Sequence, residues 1–175
     1  MGHDQVRAEF EQFVAGSSER LLRTAYMVVR DLSVAEDLVQ ECLFSVARRW
    51  PRVRSMEHPN AYAQRILINL TLDSAKGRHR HSSELADRVE DRHDEAATRA
   101  LAEVDTTSEL IDALGMLAPR QRAALVLRYF EDLSEAQVAE TMGCSVGTVK
   151  STTSRALERL RHVLADDIHQ HIGSE

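Results

Sequence analysis

Apolar residues recur along the first part of the chain at the spacing of helices. The first stripe consists of Val6, Phe10, Phe13, Val14, Leu21, Leu22, Ala25, Tyr26 and Val29, at steps of three, four and seven. No alternation of β-branched residues of strand length stands out, and the 175 residues include only 7 Gly and 3 Pro. The pattern predicts an all-α fold, arranged as one compact domain or as two small helical domains.

A second helix is predicted after residues 31–33 interrupt this stripe. Ser33 and Glu36 have the spacing of a capping box, so we expect the helix to begin at Ser33. It should run to Trp50-Pro51, because a proline disfavours the helical state of the residue before it. Its inner face is Ala35, Leu38, Val39, Cys42, Leu43, Val46 and Trp50, and its outer face shows Asp37, Gln40 and Glu41. This acidic face suits a partner, although acids near a helix start also favour the dipole on their own.

A loop over residues 52–60 leads to a third predicted helix, which Pro59 begins. The apolar residues of this helix include Tyr62, Ile66, Leu67, Leu70 and Leu72, and the exposed ones are Gln64, Arg65, Asn69, Asp73, Lys76 and Arg78. Cationic and amide groups beside Trp50 and Tyr62 suit unpaired bases, which need stacking as well as phosphate contacts. Core packing is the competing interpretation of both aromatic residues.

Residues 133–161 are typical of two helices joined by a tight turn. Ser134 and Gln137 form a capping box, Gly143 can end the first helix in the left-handed conformation, and Ser145 can cap the second. The second helix buries Val149, Ala156, Leu157, Leu160, Val163 and Leu164 and presents Thr148, Lys150, Ser151, Thr152, Ser154 and Arg155. Such a face suits a DNA major groove. A plain helical hairpin with a solvated face is the alternative.

Charge is distributed unevenly along a chain whose net charge is −6. Residues 48–80 hold eight basic residues against two acidic ones, a local charge of +6, and residues 145–161 hold four against one. Residues 82–109 hold nine acids against three arginines. The distribution predicts two nucleic-acid surfaces separated by an acidic linker. A charged surface helix, with a short helical stretch at Glu95–Glu103, is the alternative for that segment.

Several function classes are disfavoured by what the sequence lacks. It has no apolar run of about 18 residues and no signal-peptide pattern, so we expect a cytoplasmic chain without membrane insertion. Cys42 and Cys144 form no CxxC motif, and His162, His169 and His171 have no second ligand cluster, so no metal or cofactor is expected. No glycine-rich phosphate loop, HExxH or GxSxG motif occurs, which argues against an enzyme.

Three motifs in order resemble one protein family. Residues 35–50 look like the region 2 helix with which bacterial sigma-70-family factors bind core RNA polymerase, and residues 59–70 resemble their minus-10 helix. Residues 117–130 and the helix-turn-helix resemble region 4. With only these two regions, the chain is similar to the extracytoplasmic-function (ECF) sigma factors, in particular to actinobacterial SigE-like members. The resemblance covers most of residues 6–165.

The resemblance implies region 2 over residues 5–78, an acidic linker over 79–107 and region 4 over 108–165. It implies a factor that binds core RNA polymerase, through the clamp helices of β′ and the β flap, and directs it to promoter DNA. An anti-sigma factor is a further candidate partner. A two-domain helix-turn-helix regulator that binds operator DNA without polymerase is the alternative, but such a regulator has no use for an acidic helix followed by a basic DNA-melting helix.

Residue roles follow from the same resemblance. Asp37, Gln40 and Glu41 would contact the β′ clamp helices. The positions that match minus-10 recognition are Arg52, Arg54, Ser55, His58, Asn60, Tyr62, Arg65, Asn69, Lys76, Arg78 and Arg80, with the loop Arg52–Asn60 holding a flipped base. The positions that match minus-35 recognition are Thr148, Lys150, Ser151, Arg155 and Arg159, with Thr148 and Arg159 on the DNA backbone.

Overall fold

A computed structural model describes the backbone of residues 3–82 and 108–172, and side chains over residues 4–77 and 110–165. The chain divides into two compact units, Met1–Arg92 and His93–Glu175. The described backbone contains helices and turns and no strand, which confirms the all-α prediction. Most of the predicted linker, residues 83–107, lies outside the described residues, as does the short helix expected at Glu95–Glu103.

The first unit contains four described helices: α1 His3–Val29, α2 Leu32–Arg48, α3 Trp50–Val53 and α4 Pro59–Ser82. α1, α2 and α4 pack against one another in pairs around a common core. The predicted inner face of α2 is buried there, except for the partly exposed Leu43. The whole N-terminal apolar stripe lies on one helix of 27 residues, α1.

The start of α2 corrects the sequence prediction. Asp31, and not Ser33, is the N-cap: its extended backbone (φ −136°, ψ 116°) lets its carboxylate accept the Val34 N–H at 3.0 Å. Arg30 adopts a positive φ of 58°, which turns the chain sharply after α1 and brings Asp31 into the cap position. Ser33 lies inside the first turn of α2 and is exposed.

The end of α2 also differs in detail. The helix stops at Arg48, and Trp50–Val53 forms the separate short helix α3, with Pro51 in its first turn. Proline suits that place because it lacks the N–H that a helix start leaves unbonded. Trp50 and Val53 are buried, so α3 anchors the loop that follows to the core. α4 then begins at Pro59, as predicted.

The second unit begins with α5 Ser108–Gly115 and α6 Pro119–Leu125, which continues as a π-helical segment, Val126–Phe130. Arg122 is 9% exposed and donates to the carbonyls of Leu114 (2.8 Å), Gly115 (3.1 Å) and Leu117 (3.0 Å). These carbonyls lie at and just after the end of α5, where the helix dipole favours a cation. The Arg122 side chain thereby ties α5 to α6.

The helix-turn-helix consists of α7 Glu135–Met142 and α8 Val146–Ile172. Ser134 Oγ accepts the Gln137 N–H at 3.2 Å, and Gln137 Oε1 accepts the Ser134 N–H at 2.9 Å. Gly143 ends α7 with φ +63° and ψ 44°. The predicted capping box and left-handed glycine are therefore confirmed. Val149 and Ala156 of α8 are buried against this scaffold.

No helix among the described residues combines the length and the apolar character needed to cross a membrane.

Candidate functional site

α2 presents an acidic face with an apolar centre. Asp37, Gln40 and Glu41 are exposed, and Gln40 and Glu41 follow Asp37 by three and four residues, so they share the face opposite the buried stripe. Phe44 follows Glu41 by three residues on the same face, and it is 67% exposed. A large aromatic side chain ringed by polar groups is typical of the centre of a protein interface.

Phe44 was missed by the sequence analysis. Leu43 and Phe44 are adjacent apolar residues, and the apolar pattern predicted a core position for Leu43 but none for Phe44. The spacing from Gln40 and Glu41 was the available signal, because a residue at i+3 or i+4 from an exposed residue shares its face.

The end of α3 and the loop after it carry a cluster of exposed polar side chains. Arg52, Ser55 and His58 are exposed, and Ser55 Oγ donates to the Arg52 carbonyl at 2.8 Å. His58 Nε2 lies 3.6 Å from Glu57 Oε1, and both side chains are well exposed. Arg54 differs from these residues, because its guanidinium is bound to the carboxylate of Glu9 in α1.

α4 carries the predicted polar stripe. Arg65, Asn69 and Lys76 are exposed at helical spacing, and Asn60 is exposed at the helix start. Lys76 Nζ lies 3.3 Å from Asp73 Oδ1 on the same face. Tyr62 is partly buried and packs against the core, so its ring serves packing and presents one part to solvent. The side chains of Arg78 and Arg80 lie outside the described residues.

Gln64 corrects the prediction of an exposed side chain. It is 8% exposed and lies on the buried side of α4, near the positions of Leu67, Ile68 and Thr71 along the helix. Its spacing from these residues places it on the inner face. Gln64 was predicted to be exposed because it is polar, although the helical period places it among the buried residues.

The start of α8 combines a helix cap with the predicted groove-facing positions. Ser145 Oγ accepts the Thr148 N–H at 3.1 Å and is 2.9 Å from Thr148 Oγ1, so the Thr148 hydroxyl takes part in the cap. Ser151 and Ser154 are exposed on the outer face. Lys150 Nζ lies 3.7 Å from Glu135 Oε2 of α7, at one edge of that face.

Arg155 and Arg159 define the other edge of the outer face of α8. Both are exposed and line a shallow groove between α6 and α8, together with Gln121, Glu158, His162 and Val163. Residues 148–155 cover about 10 Å of helix, which fits a major groove about 12 Å wide. Arg159 lies one turn beyond that length.

Among the described residues of the first unit, Cys42 carries a buried thiol. It donates to the Ala63 carbonyl at 3.2 Å, and burial raises its pKa from 9.0 to about 12. Such a thiol stays protonated and unreactive. Within the described residues, no three His, Cys, Asp or Glu side chains are grouped to hold a metal ion.

Comparisons with known proteins match both units to one family. The family model for sigma-70 region 2 matches residues 14–81, and the model for sigma-70 region 4 matches residues 107–160. The RNA polymerase sigma-E factor of Streptomyces avermitilis is 38% identical over 168 residues, covering 94% of this chain and 89% of the relative. The ECF RNA polymerase sigma factor SigE of Mycolicibacterium smegmatis is 30% identical over 167 residues, covering 94% of this chain and 65% of the relative.

A solved structure shares the fold. The sigma factor RpoE of Bartonella quintana, in complex with the anti-sigma factor NepR, matches with a TM-score of 0.73 and 26% identity, covering 90% of this chain and 97% of that one. The two region models occur in the order that the three motifs predict, and both relatives are named as RNA polymerase sigma factors. The chain therefore belongs to the sigma-70 family of RNA polymerase sigma factors, within its extracytoplasmic-function group.

Proposed function

We propose that this chain binds core RNA polymerase and directs it to promoters, with the first unit engaging the minus-10 element and the second the minus-35 element. The observation that carries the proposal is the exposed acidic and aromatic face of α2, followed in the same unit by the basic α4. The helix-turn-helix then supplies a second DNA-binding surface. The chain contributes binding and DNA positioning in the bacterial cytoplasm, while the chemistry of transcription belongs to the polymerase.

The polymerase contact is assigned to Asp37, Gln40, Glu41 and Phe44. The carboxylates suit a basic surface on the β′ clamp helices, since complementary charges speed association and set orientation. Phe44 supplies apolar area that α2 otherwise leaves in water, and burying such a ring contributes about 1.5–3 kcal/mol.

The minus-10 contacts are assigned to the loop after α3 and to the outer face of α4. Arg52, Ser55, His58 and Asn60 surround a loop that can receive an unstacked base. Arg65, Asn69 and Lys76 then line a path for the single strand along α4, beside the exposed part of Tyr62. Arg78 and Arg80 extend this basic path on sequence grounds alone.

The minus-35 contacts are assigned to the first four turns of α8. Ser151, Ser154 and Arg155 face the major groove and read base edges, and Lys150 reaches it from the α7 edge. Thr148 and Arg159 contact phosphates, which set the register of the helix on DNA.

Two further contacts are proposed from the family. The second unit would bind the β flap of the polymerase. Because a structural relative was solved with an anti-sigma factor, we include a protein of that kind among the candidate partners of this chain.

Run-off transcription with core polymerase tests the function. The purified chain should support initiation from selected promoters of a genomic library. Tight binding to duplex DNA without any initiation would favour the operator-binding regulator instead.

The α2 assignment has its own test. Asp37→Arg with Glu41→Arg should abolish polymerase binding, because it reverses both charges of the face. Glu11→Arg with Glu19→Arg, which changes two exposed acids of α1, is the matched control and should retain binding. Retained affinity in the α2 variant would contradict the assignment.

A further inference from the structure

The guanidinium of Arg54 pairs with the carboxylate of Glu9, which lies in α1. Its Nε lies 3.0 Å from Glu9 Oε2, and its NH2 group donates to Glu9 Oε1 at 3.3 Å. Two such contacts form a bidentate pair, which fixes the direction of the guanidinium as well as its distance. The segment that joins α3 to α4 is called the minus-10 loop here. Glu9 therefore orients the Arg54 side chain at the point where this loop leaves α3.

The pair is sheltered from solvent. The side chains of Arg54 and Glu9 are 21% and 35% exposed, against 80% and 62% for the Arg7–Glu11 pair on α1. Solvent and salt screen an exposed pair almost completely, whereas a partly buried pair is screened much less. The Glu9–Arg54 contact can therefore keep its geometry under conditions in which the Arg7–Glu11 contact contributes little.

The same part of α1 also contacts Trp50, which lies one turn before Arg54. Trp50 Nε1 donates to the Val6 carbonyl at 3.2 Å. The Trp50 ring lies 5.3 Å from that of Phe10, edge to face, and 5.1 Å from that of Phe13. α1 thus contacts α3 at its first residue, Trp50, and at its C-cap residue, Arg54, so the start of the loop is attached at two points.

Arg54 and Arg52, the two arginines near this loop, differ in whether their charge is neutralised by a carboxylate. Glu9 would repel DNA phosphates if it stood alone, and the pair with Arg54 leaves no net charge at this place. Arg52 is exposed, so its charge is presented to solvent.

We propose that Glu9 and Arg54 are positioning residues for the minus-10 loop, and that Arg54 acts through Glu9 and not by contacting phosphates. This inference rests on the proposed function, since it takes the loop as the reader of the minus-10 element. A loop held in one geometry cannot readjust to fit a non-preferred base, whereas a loose loop can re-pack around it. The pair therefore raises discrimination between minus-10 sequences.

The test uses the full chain with core polymerase on a promoter library randomised in the minus-10 element. Glu9→Gln and Arg54→Gln should each lower the ratio of transcripts from preferred over non-preferred sequences, by about threefold to tenfold. The double variant should be no worse than either single one, because all three remove the same contact. Exchanging the two residues, Glu9→Arg with Arg54→Glu, should recover part of the ratio.

Two controls separate positioning from DNA contact and from charge alone. Glu11→Gln neutralises an acid of α1 in an exposed pair and should leave the ratio unchanged. Arg52→Gln should weaken promoter binding for all sequences and lower the slope of log affinity against log salt by about one. The double variant, Glu9→Gln with Arg54→Gln, keeps this place without net charge and should leave that slope unchanged.

A direct role of Arg54 on DNA would overturn the proposal, and it has a distinct signature. The double variant would then lower the salt slope, Glu9→Gln would leave specificity intact or strengthen binding, and the exchanged variant would be the worst. An unchanged ratio in both single variants would also overturn it, as would a loss explained by a smaller folded fraction at the assay temperature. If the unaltered chain never initiates, the proposed function fails, and this inference fails with it.

Discussion

Arg122 is a cation inside the second unit, where its side chain satisfies three backbone carbonyls. Replacing it with Met keeps the length of the side chain and leaves these acceptors without its N–H groups. We expect Arg122→Met to lower the free energy of unfolding by about 2–4 kcal/mol, because a bond to a charged group contributes more than a neutral one. Urea denaturation of the full chain measures this. Arg120→Met, at an exposed position, should change it by less than about 0.5 kcal/mol.

The Cys42 thiol makes stability depend on pH in the alkaline range. Its pKa is about 12 in the folded chain, because of burial, against an ordinary value of 9.0. The folded state therefore keeps a proton that the unfolded state loses, so this contribution is complete below pH 9 and falls as pH rises towards 12. The limiting slope is about 1.4 kcal/mol per pH unit. Comparing unfolding of the unaltered chain and Cys42→Ala between pH 8 and about pH 11 should show a shrinking difference. A constant difference would contradict burial of a neutral thiol.

At the scale of elements, the helix-turn-helix contains two glycines whose replacement by alanine should change stability in opposite directions. Gly143 has φ +63° and open space around it, so Gly143→Ala meets no atom but strains the backbone. We expect a loss of about 1 kcal/mol in the free energy of unfolding. Gly147 lies in the first turn of α8, where an added Cβ would meet only Ser145 Oγ at 3.8 Å. Gly147→Ala should therefore stabilise the chain by up to about 1 kcal/mol, and thermal or urea unfolding distinguishes the two signs.

Two helix starts with the same sequence pattern differ in outcome: the cap at Ser134 was predicted correctly and the cap at Ser33 was not. The capping box at Ser134 and Gln137 depends on residues three positions apart, so a local pattern is sufficient to predict it. The Ser33–Glu36 pair has the same spacing, yet Asp31 is the cap. The positive φ of Arg30 decides between them, and that conformation depends on how α1 and α2 pack.

At the scale of the whole molecule, charge separates into opposing blocks. The segment of α8 that faces DNA carries only +3 over residues 145–161, in a chain of net charge −6. We therefore expect the isolated chain to bind promoter duplex no more tightly than non-specific complexes, with a Kd of about 10⁻⁶ M or weaker at physiological salt. Adding core polymerase should tighten binding to its promoters by orders of magnitude. Fluorescence anisotropy with labelled duplex measures both, and nanomolar binding by the chain alone would favour the regulator.

What the sequence determined by itself is the set of local features. The apolar stripes, the helix start at Pro59 and the left-handed Gly143 depend on neighbours within one or two turns, so their periodicity and residue types are sufficient. The motif order also identified the family. The exposed positions of α2 followed from the same period, except that Phe44 was passed over.

What only the tertiary structure decided is which distant groups meet. Glu9 and Arg54 are 45 residues apart, and Val6 and Trp50 are 44 apart, so no helical period links them. Arginine usually lies on the surface of a protein. Arg122 is buried because carbonyls at the end of α5 accept its N–H groups. Such contacts depend on how helices pack across the unit. Arg54 is therefore predictable from the sequence as a cation near the minus-10 loop, while its carboxylate partner depends on packing.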